Sequence, residues 1–222
     1  MKKVQVLLLV VILFIGFSFT KYIVSNKYVY GDNTSSGIAL IVNEENQLSS
    51  RFIPENLREI NISFANDTED SKKKMTKEAK EALEKLVDDA AQDNIDLIGK
   101  SAYISYADQY KDYYMKVLEV GSDEADSLVE KPGTSEHQIG LCIDLTNKEY
   151  NLQKNSEEYE WIEKNSYKYG FVIRDCKEKN VVHIRYVGED VAKYIYENNL
   201  TLEAYVDDLS LRKDGSTWII KY

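Results

Sequence analysis

Two short segments constrain this chain more than any other feature, because each carries one of its only two histidines. The first is Ser135-Glu-His-Gln-Ile-Gly-Leu-Cys-Ile-Asp144, and the second is Val182-His-Ile-Arg-Tyr-Val-Gly188. Leu141, Ile143 and Leu145 alternate with Cys142 and Asp144, which sends three aliphatic side chains to a core and the aspartate to the opposite face of a strand. In the second segment Val181, His183, Arg185 and Val187 share one face, while Val182, Ile184 and Tyr186 share the other. His137 and Asp144 are seven positions apart, so one straight strand would point them to opposite faces. Gly140 lies between them and can supply the bend, or the unusual dihedral, that brings them together.

Histidine is the commonest metal ligand, and a hydrolytic zinc site has three protein ligands and one open position. His137, Asp144 and His183 form such a set. The plain alternative is two satisfied histidines beside strands and a turn-forming aspartate. A His-x6-Asp pair with a distant histidine is less specific than a helical HExxH, so spacing alone leaves both readings open.

Met1-Lys-Lys3 precedes an apolar run from Val4 to Phe19, broken only by Gln5, Gly16 and Ser18. That pattern marks an export signal or a single membrane anchor over residues 1–20. No Ala-x-Ala site or lipid-accepting cysteine follows, which favours an uncleaved anchor. The expected location is therefore extracytoplasmic, membrane-anchored or secreted. Residues 21–36 are polar and read as a linker, leaving 37–222 as one domain. Without residues 1–20 the 28 basic residues fall to 26 against 38 acidic ones, a net charge of −12. Such a surface excludes nucleic acid as a natural partner but is compatible with a short peptide in a local cleft. Cys142 and Cys176 are the only cysteines. Export permits a disulfide between them, but sequence cannot show that they approach one another.

Ile38–Val42 reads as a strand followed by a turn at 43–46, and residues 64–74 as a polar loop. Met75, Ala79, Ala82, Leu83, Leu86, Val87 and Ala90 recur at helical spacing, with Lys and Glu opposite. Ile95–Ile98 begins a strand leading into Ser101–Ser105, and a helix covers Tyr106–Val120. Residues 157–169 read as helical, stopped by Gly170. Strands follow at Phe171–Arg174 and Val181–Val187, then helices at Glu189–Asn198 and Leu202–Leu209, and a closing strand at Thr217–Ile220. This order predicts an α+β fold, with a small antiparallel sheet carrying the site and helices flanking it.

Lys131-Pro-Gly-Thr-Ser-Glu-His-Gln-Ile-Gly-Leu-Cys-Ile-Asp-Leu145 closely resembles the SxHxxGxAxD signature of the VanY-type D-alanyl-D-alanine carboxypeptidases, zinc peptidases of the bacterial wall. Ile38–Glu44 with Phe52–Glu55 is similar to that family's opening segment, and Ser101-Ala-Tyr-Ile-Ser-Tyr-Ala-Asp-Gln109 to its SGYRSxxxQ segment. Trp161, Tyr169-Gly-Phe171, Arg174 and His183–Gly188 follow in the family's order, so the resemblance spans about residues 38–205. It implies a Zn2+ ion held by His137, Asp144 and His183. It also implies a cleft for a peptidoglycan stem peptide lined by Ser101, Tyr103, Gln109 and Ser135.

Three positions depart from the family pattern. Its general base is a glutamate three residues before the last ligand, where this chain has Asn180, an amide that takes no proton at neutral pH. The preceding loop, Arg174–Asn180, is several residues shorter than usual, and Glu178 is the nearest carboxylate that could substitute. Ile104 stands where the family has an arginine, and Cys142 where it has alanine. Two functions follow as expectations: a metallo-carboxypeptidase of the D-Ala-D-Ala type with Glu178 as base, or a catalytically inactive relative that binds or senses peptidoglycan peptide.

Overall fold

The computed structural model describes residues 40–212, with side chains through residue 207. The apolar run over 1–20, the linker over 21–36 and the strand expected at Thr217–Ile220 lie outside the described residues. Among the described residues, no helix is long and apolar enough to cross a membrane.

The elements run β1 (Leu57–Glu59), β2 (Lys74–Thr76), α1 (Lys77–Gln92), β3 (Ile98–Ser101), α2 (Tyr106–Val120), α3 (Ser122–Leu128), β4 (Cys142–Thr146), α4 (Glu157–Asn165), β5 (Phe171–Arg174), β6 (Val182–Tyr186), α5 (Glu189–Glu197) and α6 (Leu202–Arg212). β1 and β2 form an antiparallel pair, and the larger sheet is antiparallel in the order β3-β4-β6-β5. This is the expected α+β architecture.

The apolar stripe of α1 buries Ala79, Leu83, Leu86 and Ala90 completely. It packs in one core with Ile143 and Leu145 of β4, Val182 and Ile184 of β6, and Phe171 of β5. Each buried leucine contributes roughly 1.5–3 kcal/mol. A second core gathers Val172, Val187, Ala192, Ile195 and Leu202 under α5 and α6. Ser105 caps α2: its Oγ accepts from the Asp108 backbone N–H at 3.1 Å and donates to the Asp108 carboxylate at 2.6 Å. That reciprocal pair is the reason the helix starts there.

Several expectations are corrected. Residues 40–42 form no strand. Met75 belongs to β2 rather than to the helix, and a 3-10 turn at Asp70–Lys72 and the start of β2 at Lys74 fall within the polar stretch over 64–74 that reads as a loop. β3 ends at Ser101 because the chain then turns to β2, with Tyr103 N–H donating to Lys74 O at 3.0 Å. Both cysteines are free, Cys142 buried and Cys176 exposed.

Candidate metal centre and substrate cleft

The register of the sheet builds the site. Ser101 pairs with Asp144, Asp144 with His183, and His183 with Arg174, so one row crosses all four strands. His137 comes from a 3-10 turn at Glu136–Ile139 just before β4. Ser135 starts that turn, its Oγ accepting from the His137 N–H at 3.3 Å. Gly140 ends it in the left-handed region, φ 68°. The chain thus reverses direction between His137 and Asp144, and both side chains reach one point.

The ligand atoms of His137, Asp144 and His183 lie within 4.8 Å of one another, and all three residues are buried. Asp144 Oδ2 is 3.2 Å from His137 Nε2, and Asp144 Oδ1 is 2.7 Å from His183 Nδ1. The outward nitrogens are engaged elsewhere. His137 Nδ1 donates to the Ala102 carbonyl at 2.5 Å, and His183 Nε2 faces Glu136 Oε2 at 3.5 Å. An N–H on each outward nitrogen leaves a lone pair on each inward one, which is the tautomer a ligand needs. Ser101 Oγ donates to Asp144 Oδ2 at 2.8 Å. This donor set of two imidazoles and one carboxylate fits zinc.

Burial would push the Asp144 carboxyl up, but the two imidazoles overcome it and hold the group far below the usual carboxylate range. Burial would likewise push His183 down. The Cys142 sulfur and the Asp144 and Glu136 carboxylates around the ring raise it well above its ordinary value.

Glu136 is the residue that sequence reasoning missed. It lies behind His183 with its side chain 10% exposed, Arg174 Nε and Nη2 donating to its carboxylate at 3.3 and 3.2 Å and Arg185 Nη1 lying 3.6 Å away. Burial raises its carboxyl; the His183 contact and the two arginines more than offset this and bring it to about 2. The signal was an acid inside the motif matched by arginines two residues from His183 and at the end of β5. Cys142 groups with Glu136 and His183 rather than with His137 and Asp144. Two guanidinium groups sit against that second group, and their charge disfavours a cation there.

Around the ligands opens a cleft of about 510 Å3. Ser101, Gln109, Ser135, Ile104 and Glu178 all line it. Gln109 is fixed by donating to Glu130 O at 2.6 Å. Tyr103 does not line this cleft: it faces a separate depression with Leu57, Arg58 and Asp108, because the chain has already turned toward β2. Asn180 does not line it either; its amide oxygen accepts from Gln153 Nε2 at 2.6 Å. Glu178 pairs with Lys100 at 3.0 Å.

A profile of the family described as VanY: D-alanyl-D-alanine carboxypeptidase matches residues 72–189. The chain belongs to this family. It is 33% identical over 183 residues to the Bacillus subtilis (strain 168) protein YodJ, itself only a candidate carboxypeptidase, covering 77% of this chain and 67% of that protein. With a D-alanyl-D-alanine carboxypeptidase of Enterococcus faecalis it shares 34% identity over 142 residues. That match covers 56% of this chain and 53% of the other, so the chain spans about half the length of this relative. The solved structure of the LdcB LD-carboxypeptidase superimposes with a TM-score of 0.71 at 30% identity, covering 82% of this chain and 94% of that one.

Proposed function

We propose that this VanY-family protein is a zinc-dependent carboxypeptidase of the bacterial envelope that removes the terminal D-alanine from peptidoglycan stem peptides. The observation that carries the reading is Glu178, a carboxylate lining the same cleft as His137, Asp144 and His183. A zinc ion held by those three side chains would supply a Lewis acid and a water of lowered pKa. Ser101 fixes the Asp144 carboxylate, and Glu136 and the Ala102 carbonyl fix the two rings. Glu178 takes the proton of the attacking water and returns it to the amine of the departing D-alanine. The water oxygen joins the carbonyl carbon as the peptide C–N bond breaks.

A binding-only role is the second reading, and Ile104 favours it, since an isoleucine in the cleft offers neither charge nor hydrogen bond to an oxyanion. The test is D-alanine release by the zinc-loaded protein. The substrates are a pentapeptide ending in D-Ala-D-Ala and the tetrapeptide ending in L-Lys-D-Ala. Release from the pentapeptide is expected, falling by roughly 10² to 10⁴ in Glu178→Ala and disappearing in His183→Ala. No release from either peptide, with zinc bound stoichiometrically, would make the protein a peptide-binding relative. Release from the tetrapeptide alone would reassign its specificity.

A further inference from the structure

We propose that Lys100 is the residue that receives the terminal carboxylate of the peptide, displacing Glu178 as it does so. The proposal rests on the carboxypeptidase reading and adds the recognition of the substrate's charged end. An enzyme acting at a C-terminus must accept a free carboxylate, yet this cleft is lined by Asp112, Glu130, Glu136, Asp144 and Glu178. An anion entering it needs a cation that is free to turn toward it.

Among the described residues, four lysines and arginines line the cleft: Lys72, Lys100, Arg174 and Lys177. Arg174 is committed, with Nε and Nη2 on Glu136 and Nη1 on Glu203 at 2.7 Å. Lys177 donates to the carbonyls of Asp126 at 2.8 Å and Val129 at 3.3 Å and pairs with Glu130 at 3.3 Å. Those contacts tie the β5–β6 loop to the end of α3. Lys72 is bound at 3.0 Å to Asp112 of α2, and its side chain is only 20% exposed. Lys100 differs. Its side chain is 36% exposed, and it meets a Glu178 side chain that is 49% exposed. Exposed pairs contribute only about 0.2–1 kcal/mol, so a second carboxylate can replace Glu178 at small cost.

The backbone explains how Lys100 comes to face the cleft. It sits in the register shift between Gly99 and Ser101 of β3, and bulges of this kind re-aim a side chain that strict alternation would send to the other face. Both Lys100 and Ser101 therefore line the cleft. The bulge is held in place: Thr68 Oγ1 donates to Lys100 O at 2.9 Å, and the Phe64 ring packs so closely on Gly99 that a Cβ there would fall 2.6 Å from it. Lys100 thus stands next in sequence to the serine that holds Asp144, across the cleft from the β5–β6 loop. A carboxylate bound to Lys100 leaves Glu178 free to accept a proton.

The test is binding to the full-length, zinc-loaded chain carrying Glu178→Gln, which keeps the peptide from being turned over. The probes are the D-Ala-D-Ala pentapeptide and its C-terminal carboxamide. The free acid is expected to bind more tightly than the amide. Adding Lys100→Met should abolish that preference, a loss of about 10- to 100-fold for the acid alone, and Lys100→Arg should restore most of it. Unchanged zinc stoichiometry and melting temperature in the Lys100→Met chain exclude misfolding. A Lys100→Met chain that keeps the full preference overturns the role of Lys100 and leaves the carboxypeptidase reading standing. A parent chain that binds neither peptide overturns both.

Discussion

Asn180 occupies the left-handed backbone region, φ 63°, where asparagine is among the few residues tolerated without large cost. Its carbonyl accepts from Leu152 N–H at 3.1 Å and Thr146 Oγ1 at 3.0 Å, and its side chain is engaged by Gln153. Asparagine here serves the turn into β6. A glutamate at this position would be directed to the Gln153 side, away from the ligands. Asn180→Glu is therefore expected not to raise D-alanine release, and to destabilise the fold by about 1 kcal/mol through the backbone; a rise in kcat would show that the amide stands at a vacant base position. Glu136→Gln should weaken zinc binding by roughly 10- to 100-fold, because it loosens the orientation of His183, as read by competition with a chromophoric chelator. His137, Asp144 and His183 were legible as candidates because they are the chain's two histidines and an aspartate facing away from an apolar strand face, and the motif's resemblance to the VanY pattern singled them out as a set. Glu136 was not, since its role exists only when the sheet register has brought Arg174 and Arg185 to it.

At the level of elements, the site depends on how the 3-10 turn joins β4. A Cβ on Gly140 would lie 2.9 Å from Leu57 Cδ2 and 3.2 Å from Pro54 Cγ, in a conformation already unfavourable to L-residues. Gly140→Ala combines about 1–2 kcal/mol of backbone strain with about 1–3 kcal/mol of overpacking. Denaturant unfolding should show a loss within their sum, and zinc affinity should fall with it. The need for a bend at Gly140 was readable from the seven-residue spacing, as were α2 and the strands with clean alternation. β1, β2 and α3 were not readable, because strands of three residues carry no period and α3 holds only one buried residue, Ala125. A second junction sits where Tyr169 Oη donates to Asp89 of α1 at 2.8 Å. Burial and that carboxylate push the phenol up to about 12. A folded pKa raised above the ordinary value of 10 gives stability that is complete below pH 10 and lost as pH rises toward 12. Tyr169→Phe should remove that alkaline component from the stability profile and one high-pH component from the ultraviolet tyrosinate titration.

At the scale of the molecule, the proposed metal centre joins the turn before β4 and β4 itself to β6, about forty residues later in the chain, with β3 attached through Ser101. Such a centre is absent from the unfolded chain, so binding is linked to stability. At free zinc a thousand times its dissociation constant the gain is about 4 kcal/mol. Each kcal/mol moves the melting temperature of a domain this size by about 2–4 °C. Chelation of the full chain should therefore lower the melting point by roughly 8–16 °C, and zinc should restore it. The net charge of −12 outside residues 1–20 complicates a single-ion experiment, because an acidic surface attracts any divalent cation and loses self-repulsion when it does. Calcium and magnesium separate the two effects: they neutralise surface carboxylates but bind poorly to imidazole nitrogen. A shift produced by zinc, absent with calcium and magnesium, and lost in His183→Ala locates the stabilisation at the buried row. Equal shifts with all three ions, retained in His183→Ala, would assign it to the surface and remove the metal from the site.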